Sequence, residues 1–376
     1  MAVQSLSAPY ECTPFASNAP GSWLRETSNH VPRYLFRVYT PNSGGLTNRK
    51  WAMSMEAAHE RQSEIPVDVC SRRASVIADE LADHLRWTYH RSFSPFVSWT
   101  SSLLVAILYM FNRYSTDSNG ATLNDIHLCV IDTSLFPKGV FLRDMDLIRP
   151  LSPHNQRLSR LGNLRLGHYG TAHYNGEFLS QGSLKIQERC QVVTLQQLVA
   201  NGLFDLQPKF ITYLDWRREE KTPWSTAILD YRSLFTPGFQ ADPPGPRALD
   251  SALRLGALFE NHLGFRFSMA MSFLALLPPS LLDSRFLDAV QRSNIYFVLP
   301  LEERLSNIRV FTHQALAEAK RFQDILYLVD RQLEPLRDKY LEHLEETEIE
   351  EVAQWFAYYS QRNLVTNSVS SIRLLD

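Results

Sequence analysis

Apolar residues between Arg33 and Phe210 fall in short β-branched and aromatic runs broken by turn residues, whereas beyond Arg247 they recur at steps of three and four. The first pattern predicts strands. Tyr34-Leu35-Phe36-Arg37-Val38-Tyr39 reads as one, closed by Pro41-Asn42-Ser43-Gly44-Gly45. Pro95-Phe96-Val97-Ser98-Trp99 reads as a short strand feeding a helix from Ser101 to Asn112, with Thr100 or Ser101 as its N-cap. Further strands are predicted over 126–132, at Val140-Phe141-Leu142, at Glu177-Phe178-Leu179, and at Gln191-Val192-Val193-Thr194-Leu195. Helical spacing over 74–87 places Val76, Ile77, Leu81 and Leu85 on one face.

The second pattern predicts helices. Leu253, Leu255, Leu258 and Phe259 fit one, and 267–277 a second that is apolar nearly all round and ended by Pro278-Pro279. Phe322, Leu326, Val329, Leu333, Leu336 and Tyr340 form a helix-pairing stripe that Pro335 should kink or interrupt. An acidic run over 342–351 reads as a solvated face. The expected organisation is a flexible leader (1–32), an α+β domain on a partly antiparallel sheet (33–210), a Pro-rich linker region (211–246) and a mainly helical domain (247–376).

Composition narrows the function. A chain of 376 residues suits two domains, and a net charge of −2 argues against a general nucleic-acid binder. Cys12, Cys70, Cys129 and Cys190 are scattered, without zinc-like or disulfide-framework spacing, so free thiols are expected and no metal is implied. The N-terminus has no basic and apolar signal pattern, and the most apolar runs are too short to span a bilayer. A soluble protein of the cytoplasm or nucleus, with no membrane partner, is the expectation. P-loop, Gly-rich dinucleotide and GxSxG patterns are absent, which removes support for kinase, Rossmann dehydrogenase and α/β-hydrolase readings.

Three stretches set a polar residue within or beside an apolar strand: Leu35-Phe36-Arg37, Phe96-Val97-Ser98-Trp99-Thr100-Ser101 and Gly176-Glu177-Phe178-Leu179-Ser180-Gln181-Gly182. In this order they resemble the arginine-serine-glutamate class of ADP-ribosyltransferases, the cholera-toxin-like group in particular. That family has a first strand ending in Tyr-Arg before a Ser-Gly-Gly turn, matched by Phe36-Arg37 and Ser43-Gly44-Gly45. Its Ser-Thr-Ser strand is matched by Ser98-Trp99-Thr100, with Trp99 in place of the central Thr. Its catalytic glutamate is matched by Glu177. Where arginine-modifying members carry Glu and asparagine-modifying members Gln, two residues earlier, this chain has Asn175. The chain is also similar to an uncharacterised fungal family sharing the phrases Phe96-Val97-Ser98-Trp99-Thr100-Ser101-Ser102 and Lys138-Gly139-Val140-Phe141-Leu142-Arg143-Asp144, which supplies no function.

The resemblance implies an ADP-ribosyltransferase-like split sheet with NAD as substrate. Glu177 would be catalytic, stabilising an oxocarbenium-like state. Arg37, Ser98 and Thr100 would bind the dinucleotide, with Ser98 also aiming Glu177. Tyr169, Tyr174 and Asn175 would form a loop facing an unknown protein or small-molecule acceptor. Arg143, Arg149, Arg157, Arg160 and Arg165 form a basic stretch able to meet phosphates, or else a solvated loop. The residues themselves leave alternatives open: Arg37 on a solvent-facing strand edge, Glu177 on an exposed sheet face, and Trp99 and Phe96 in the core. Other functions also stay open. One is a non-catalytic protein using the helical half to bind a partner; the other is a biosynthetic enzyme acting on another nucleotide-activated or carrier-linked substrate.

Overall fold

The computed structural model describes residues 11–15, 31–59, 68–86, 93–116, 121–166, 174–217, 224–235, 247–259, 263–277, 284–293, 296 and 316–341. They fall into two compact units and give an α+β protein with antiparallel sheets. The first unit draws on Met1–Leu195, Trp216–Asp230 and His313–Leu316, the second on Gln196–Asp215, Tyr231–Thr312 and Ala317–Asp376.

The first unit is built on nine strands: β1 (Tyr34–Tyr39), β2 (Leu46–Thr47), β3 (Trp51–Met53), β4 (Phe96–Thr100), β5 (His127–Asp132), β6 (Leu142–Arg143), β7 (Glu177–Gln181), β8 (Ser183–Lys185) and β9 (Cys190–Thr194). Six form a sheet in the order β6-β7-β4-β1-β5-β9, and β2-β3-β8 form a second sheet. Leu35, Tyr39, Val97, Trp99, Cys129, Ile131, Phe141 and Phe178 pack into one buried cluster. Alternation along each strand then sends Ser98, Glu177 and Leu179 to the other face. Trp99 takes the core side, its Nε1 donating to Ser180 Oγ at 3.0 Å and its ring edge-on to Phe141. A large aromatic fits this position because it faces the core.

Its helices include α1 (Met55–His59), α2 (Ala74–Leu85), α3 (Leu103–Thr116), α4 (Asp144–Leu151) and α5 (Gln156–Leu166). Helix α2 buries Ile77, Ala78, Leu81, Ala82, His84 and Leu85. Val76, expected on that face, is 43% exposed because it sits one residue around the helix from the buried stripe. The N-cap of α3 is neither Thr100 nor Ser101 but Ser102, whose Oγ accepts from Val105 N at 3.1 Å. Helix α5 is fastened to α2 by Asn155 Nδ2 donating to Asp79 Oδ1 at 2.6 Å and by the Arg157–Asp83 ion pair. Val140 and Phe141 are buried beside the sheet but outside a strand, which begins at Leu142.

Part of the expected leader is strapped down. Thr13 bridges to Gln181, Phe15 N donates to Gly139 O at 2.9 Å, and Glu11 pairs with Lys185 and Arg189. Phe15 is 5% exposed, so burial of one aromatic side chain, worth about 1.5–3 kcal/mol, accompanies these polar ties.

The second unit is helical: α6 (Leu203–Leu206), α7 (Ala248–Ala257), α8 (Leu263–Leu274), α9 (Ser284–Arg292) and α10 (Ala317–Leu341). Helix α6 packs on α7, burying Leu203 and Leu206, so residues 196–210 belong with this unit and not with the α+β domain expected to run to 210. Helix α10 packs on α8 and α9 and continues through Pro335. Leu326, Val329 and Leu333 of its stripe are buried within this unit, while Leu336 is exposed. The middle of the stripe is therefore core, while Phe322 is half-buried. The acidic run 342–351 lies outside the described residues. Among the described residues no helix is long and apolar enough to cross a membrane.

Candidate functional site

Arg37 lies in β1, between β4 and β5 in the middle of the sheet, and not on an edge strand. The β1–β4 ladder consists of the single pair Phe36↔Thr100. Where the strands then part, the arginine replaces the missing ladder donor: Nη1 donates to the Ser98 carbonyl at 2.9 Å and Nε to Thr47 Oγ1 at 3.0 Å. A planar guanidinium offers donors on separate nitrogens to both acceptors, in a fixed fork that an ammonium lacks. The turn between β1 and β2 is set by Ser43, whose N donates to Thr40 O and whose Oγ accepts from Thr40 N, and by Gly45 at φ +75°.

On the other side of β4, Ser98 Oγ donates to Glu177 Oε1 at 2.7 Å. Arg37, Ser98 and Glu177, from three separate strands, are therefore linked through the β4 backbone, with Arg37 on the face of Leu35, Tyr39 and Cys129 and the Ser98 and Glu177 side chains on the other. Glu177 is also only 15% exposed at its side chain, so it does not lie on an open sheet face. Its second oxygen, Oε2, accepts from Arg165 Nη2 at 2.8 Å. Arg165 also pairs with Asp144, which is fully buried at the start of α4.

A histidine completes the arrangement. His84, 5% exposed, has Nε2 at 2.8 Å from Ser98 Oγ and Nδ1 at 2.6 Å from Ser94 Oγ. Burial is the main cause that lowers its pKa from 6.5 to about 4; the Glu177 charge opposes this and the Arg37 charge reinforces it. A neutral imidazole has one donor and one acceptor. Ser98 spends its only proton on Glu177, so it must accept from His84 Nε2–H. Nδ1 is then the acceptor, and Ser94 donates to it while accepting from Phe96 N. The chain of protons thus runs one way, Ser94 to His84 to Ser98 to Glu177.

This burial has a consequence in solution. The unfolded histidine takes a proton near pH 6.5, whereas His84 in the fold resists until about pH 4. Its contribution to stability is complete above pH 6.5 and is lost as pH falls toward 4, on the order of 3 kcal/mol in all. Urea unfolding at pH 7 and pH 4.5 should show a steeper acid loss for wild type than for His84→Asn. Equal slopes would rule out His84 as the cause.

Thr100 Oγ1 donates to Asn175 O at 2.6 Å and accepts from Ser102 N, so the Thr100 hydroxyl and the Asn175 carbonyl hold the approach to β7. Tyr174 is 2% exposed; its hydroxyl lies 3.3 Å from Asp144 Oδ1 and 3.4 Å from the Glu177 carbonyl. Expected in an acceptor loop, it is instead a buried support, because an apolar ring with one satisfied hydroxyl is stable inside. Tyr169 lies outside the described residues.

Gly176 precedes the glutamate at φ +65°, and its carbonyl accepts from Ser101 N at 2.8 Å. An added Cβ would collide with Ser101 Oγ and with Leu316. Gly176→Ala should cost about 1–3 kcal/mol in denaturant melts, combining a disfavoured backbone with that clash. A loss below a few tenths would mean that the turn relaxes freely.

Sequence reasoning missed His84, Asp144 and Arg165 as parts of the site. His84 carried only its place on the buried helical stripe, and Arg165 was one arginine among several in a basic stretch. Among the described residues no group of His, Cys, Asp and Glu could hold a metal ion.

Arg37, His84, Ser98, Asp144, Arg165 and Glu177 all lie within residues 30–195, the stretch matched by one family model. Residues 30–195 match the family model described as Domain of unknown function (DUF7587). No curated protein and no solved structure matches the chain. Residues 30–195 are thus similar to a domain family whose description carries no activity.

Proposed function

We propose that the α+β unit binds NAD and transfers its ADP-ribose to an acceptor, or to water. The observation that carries this reading is the linkage of Arg37, Ser98 and Glu177, with Arg37 on the Ser98 carbonyl and the Ser98 hydroxyl on the Glu177 carboxylate. In the reaction the bond from ribose C1′ to the nicotinamide nitrogen breaks, its electron pair leaving with nicotinamide. An acceptor lone pair then forms the new bond at C1′, and the acceptor's proton is released. Glu177 would stabilise positive charge developing on the ribose, Ser98 would hold the carboxylate in aim, and Arg37 would attract the diphosphate. Neutral His84 would keep the Ser98 proton directed at Glu177 throughout.

The test is NAD binding by calorimetry and nicotinamide release by chromatography, on wild type and Arg37→Lys. Release by wild type, with affinity at least about tenfold weaker in the lysine variant, is expected from loss of the fork. Absence of both binding and release in wild type would end the reading.

A second reading, a non-catalytic domain, is favoured by one observation: both Glu177 oxygens already have protein partners, Ser98 and Arg165. Under that reading the network only holds the sheet to α5, and wild type would neither bind NAD nor release nicotinamide.

A further inference from the structure

Arg165 touches two carboxylates, and that sharing decides how much negative charge Glu177 keeps. Arg165 is 7% exposed at its side chain, Asp144 not at all, and Glu177 15%. One guanidinium charge is set against two carboxylate charges, so the trio retains a net charge of about −1 if both acids are ionised. Asp144 is fixed from two further directions: its Oδ1 accepts from Met145 N at 2.7 Å and faces the Tyr174 hydroxyl at 3.3 Å. Of the other charges nearby, Arg143 and Asp146 pair with each other at 2.6 Å, and Arg37 is turned to the Ser98 carbonyl and Thr47. A lone Arg165–Glu177 pair would neutralise the group meant to stabilise a cation.

We infer that Asp144 is a positioning residue that occupies one side of the Arg165 fork and thereby leaves Glu177 a net negative charge toward a developing cation. Asp144 touches no substrate in this scheme; it acts through Arg165. This inference rests on the proposed NAD reading and adds the reason that an arginine beside the glutamate does not silence it. Arginine suits the role because its two Nη groups point at different acceptors, Nη1 toward Asp144 and Nη2 toward Glu177.

Two probes read the charge without turnover: an ADP-linked hydroxypyrrolidine, protonated at neutral pH, and the uncharged ribose counterpart, ADP-ribose. Wild type should bind the cationic probe about tenfold or more tightly than the neutral one, as expected for a site built toward a cationic transition state. Asp144→Asn keeps the acceptor for Met145 N and removes the charge, so the preference should shrink toward unity. Arg165→Lys keeps a cation for buried Asp144 but loses the fork, so Glu177 is released and the preference should equal or exceed that of wild type. This second variant reads the same quantity in the opposite direction if Asp144→Asn does not fold. Preference retained in Asp144→Asn, or diminished in Arg165→Lys, overturns the inference while leaving NAD binding intact. Failure of wild type to bind either probe overturns the NAD reading itself, and the inference with it.

Discussion

Under the proposed NAD reading, Glu177→Gln is expected to keep NAD affinity within about threefold while nicotinamide release falls at least about a hundredfold, the scale at which one transition-state electrostatic partner is lost. The amide keeps the shape of the carboxylate but not its charge. It also fails in its hydrogen bonds. Both carboxylate oxygens accept, one from Ser98 Oγ and one from Arg165 Nη2. An amide offers one acceptor and one donor group, so its NH₂ must face a donor at one of these places. If it faces Ser98, the hydroxyl must turn its proton away, toward a His84 Nε2 that already carries one. Reversing that order requires the other tautomer of His84 and a new direction for the Ser94 proton. A stability loss of about 1–3 kcal/mol should therefore accompany the loss of activity. Release by Glu177→Gln within twofold of wild type would remove Glu177 from the chemistry.

Arg232→Met should produce the largest loss of stability, about 3–5 kcal/mol in the helical unit, because it leaves a buried carboxylate without its cation. Arg232 Nε and Nη2 donate to the two oxygens of Glu318 at 3.1 and 2.8 Å, and the side chains are only 7% and 4% exposed. Deleting the cation removes the charge that offsets burial of the Glu318 carboxylate. The pair as a whole need not be stabilising, since desolvation of both ions opposes their attraction. Replacing both, with Arg232→Met and Glu318→Leu together, should accordingly recover most of the loss. Urea unfolding of the two variants decides this; a single-variant cost below about 1 kcal/mol would mean that the pair is open to water.

Legibility in the sequence followed the range of the interactions involved. Strands β1, β4, β5, β7 and β9 were readable within a few residues because period-two alternation and flanking Gly, Pro and Asn are local signals. Helix α10 was readable from its three-four stripe, but the stripe does not say whether its partner is another helix of the same chain or a separate protein. For Leu326, Val329 and Leu333 the unit's own helices are the partner. The Ser102 cap was misassigned by one or two residues because neighbouring hydroxyl residues all satisfy the same preference. Only the position where Val105 N needs an acceptor separates them.

The sequence alone determined that this is an α+β region followed by helices, and named Arg37, Ser98 and Glu177 through a resemblance carried by short motifs. Tertiary structure decided what those residues meet. Parting of β4 from β1 opens the Ser98 carbonyl to Arg37; packing of α2 beneath the sheet brings His84 to Ser98; and fastening of α5 to α2 accompanies delivery of Arg165 to Glu177 and Asp144. These contacts join residues 12 to 79 positions apart, including Arg165 with Glu177 and Ser98 with Glu177. No local pattern encodes them. A buried polar side chain has the same helical spacing as a core leucine, and its partner is fixed only when the fold removes both from water.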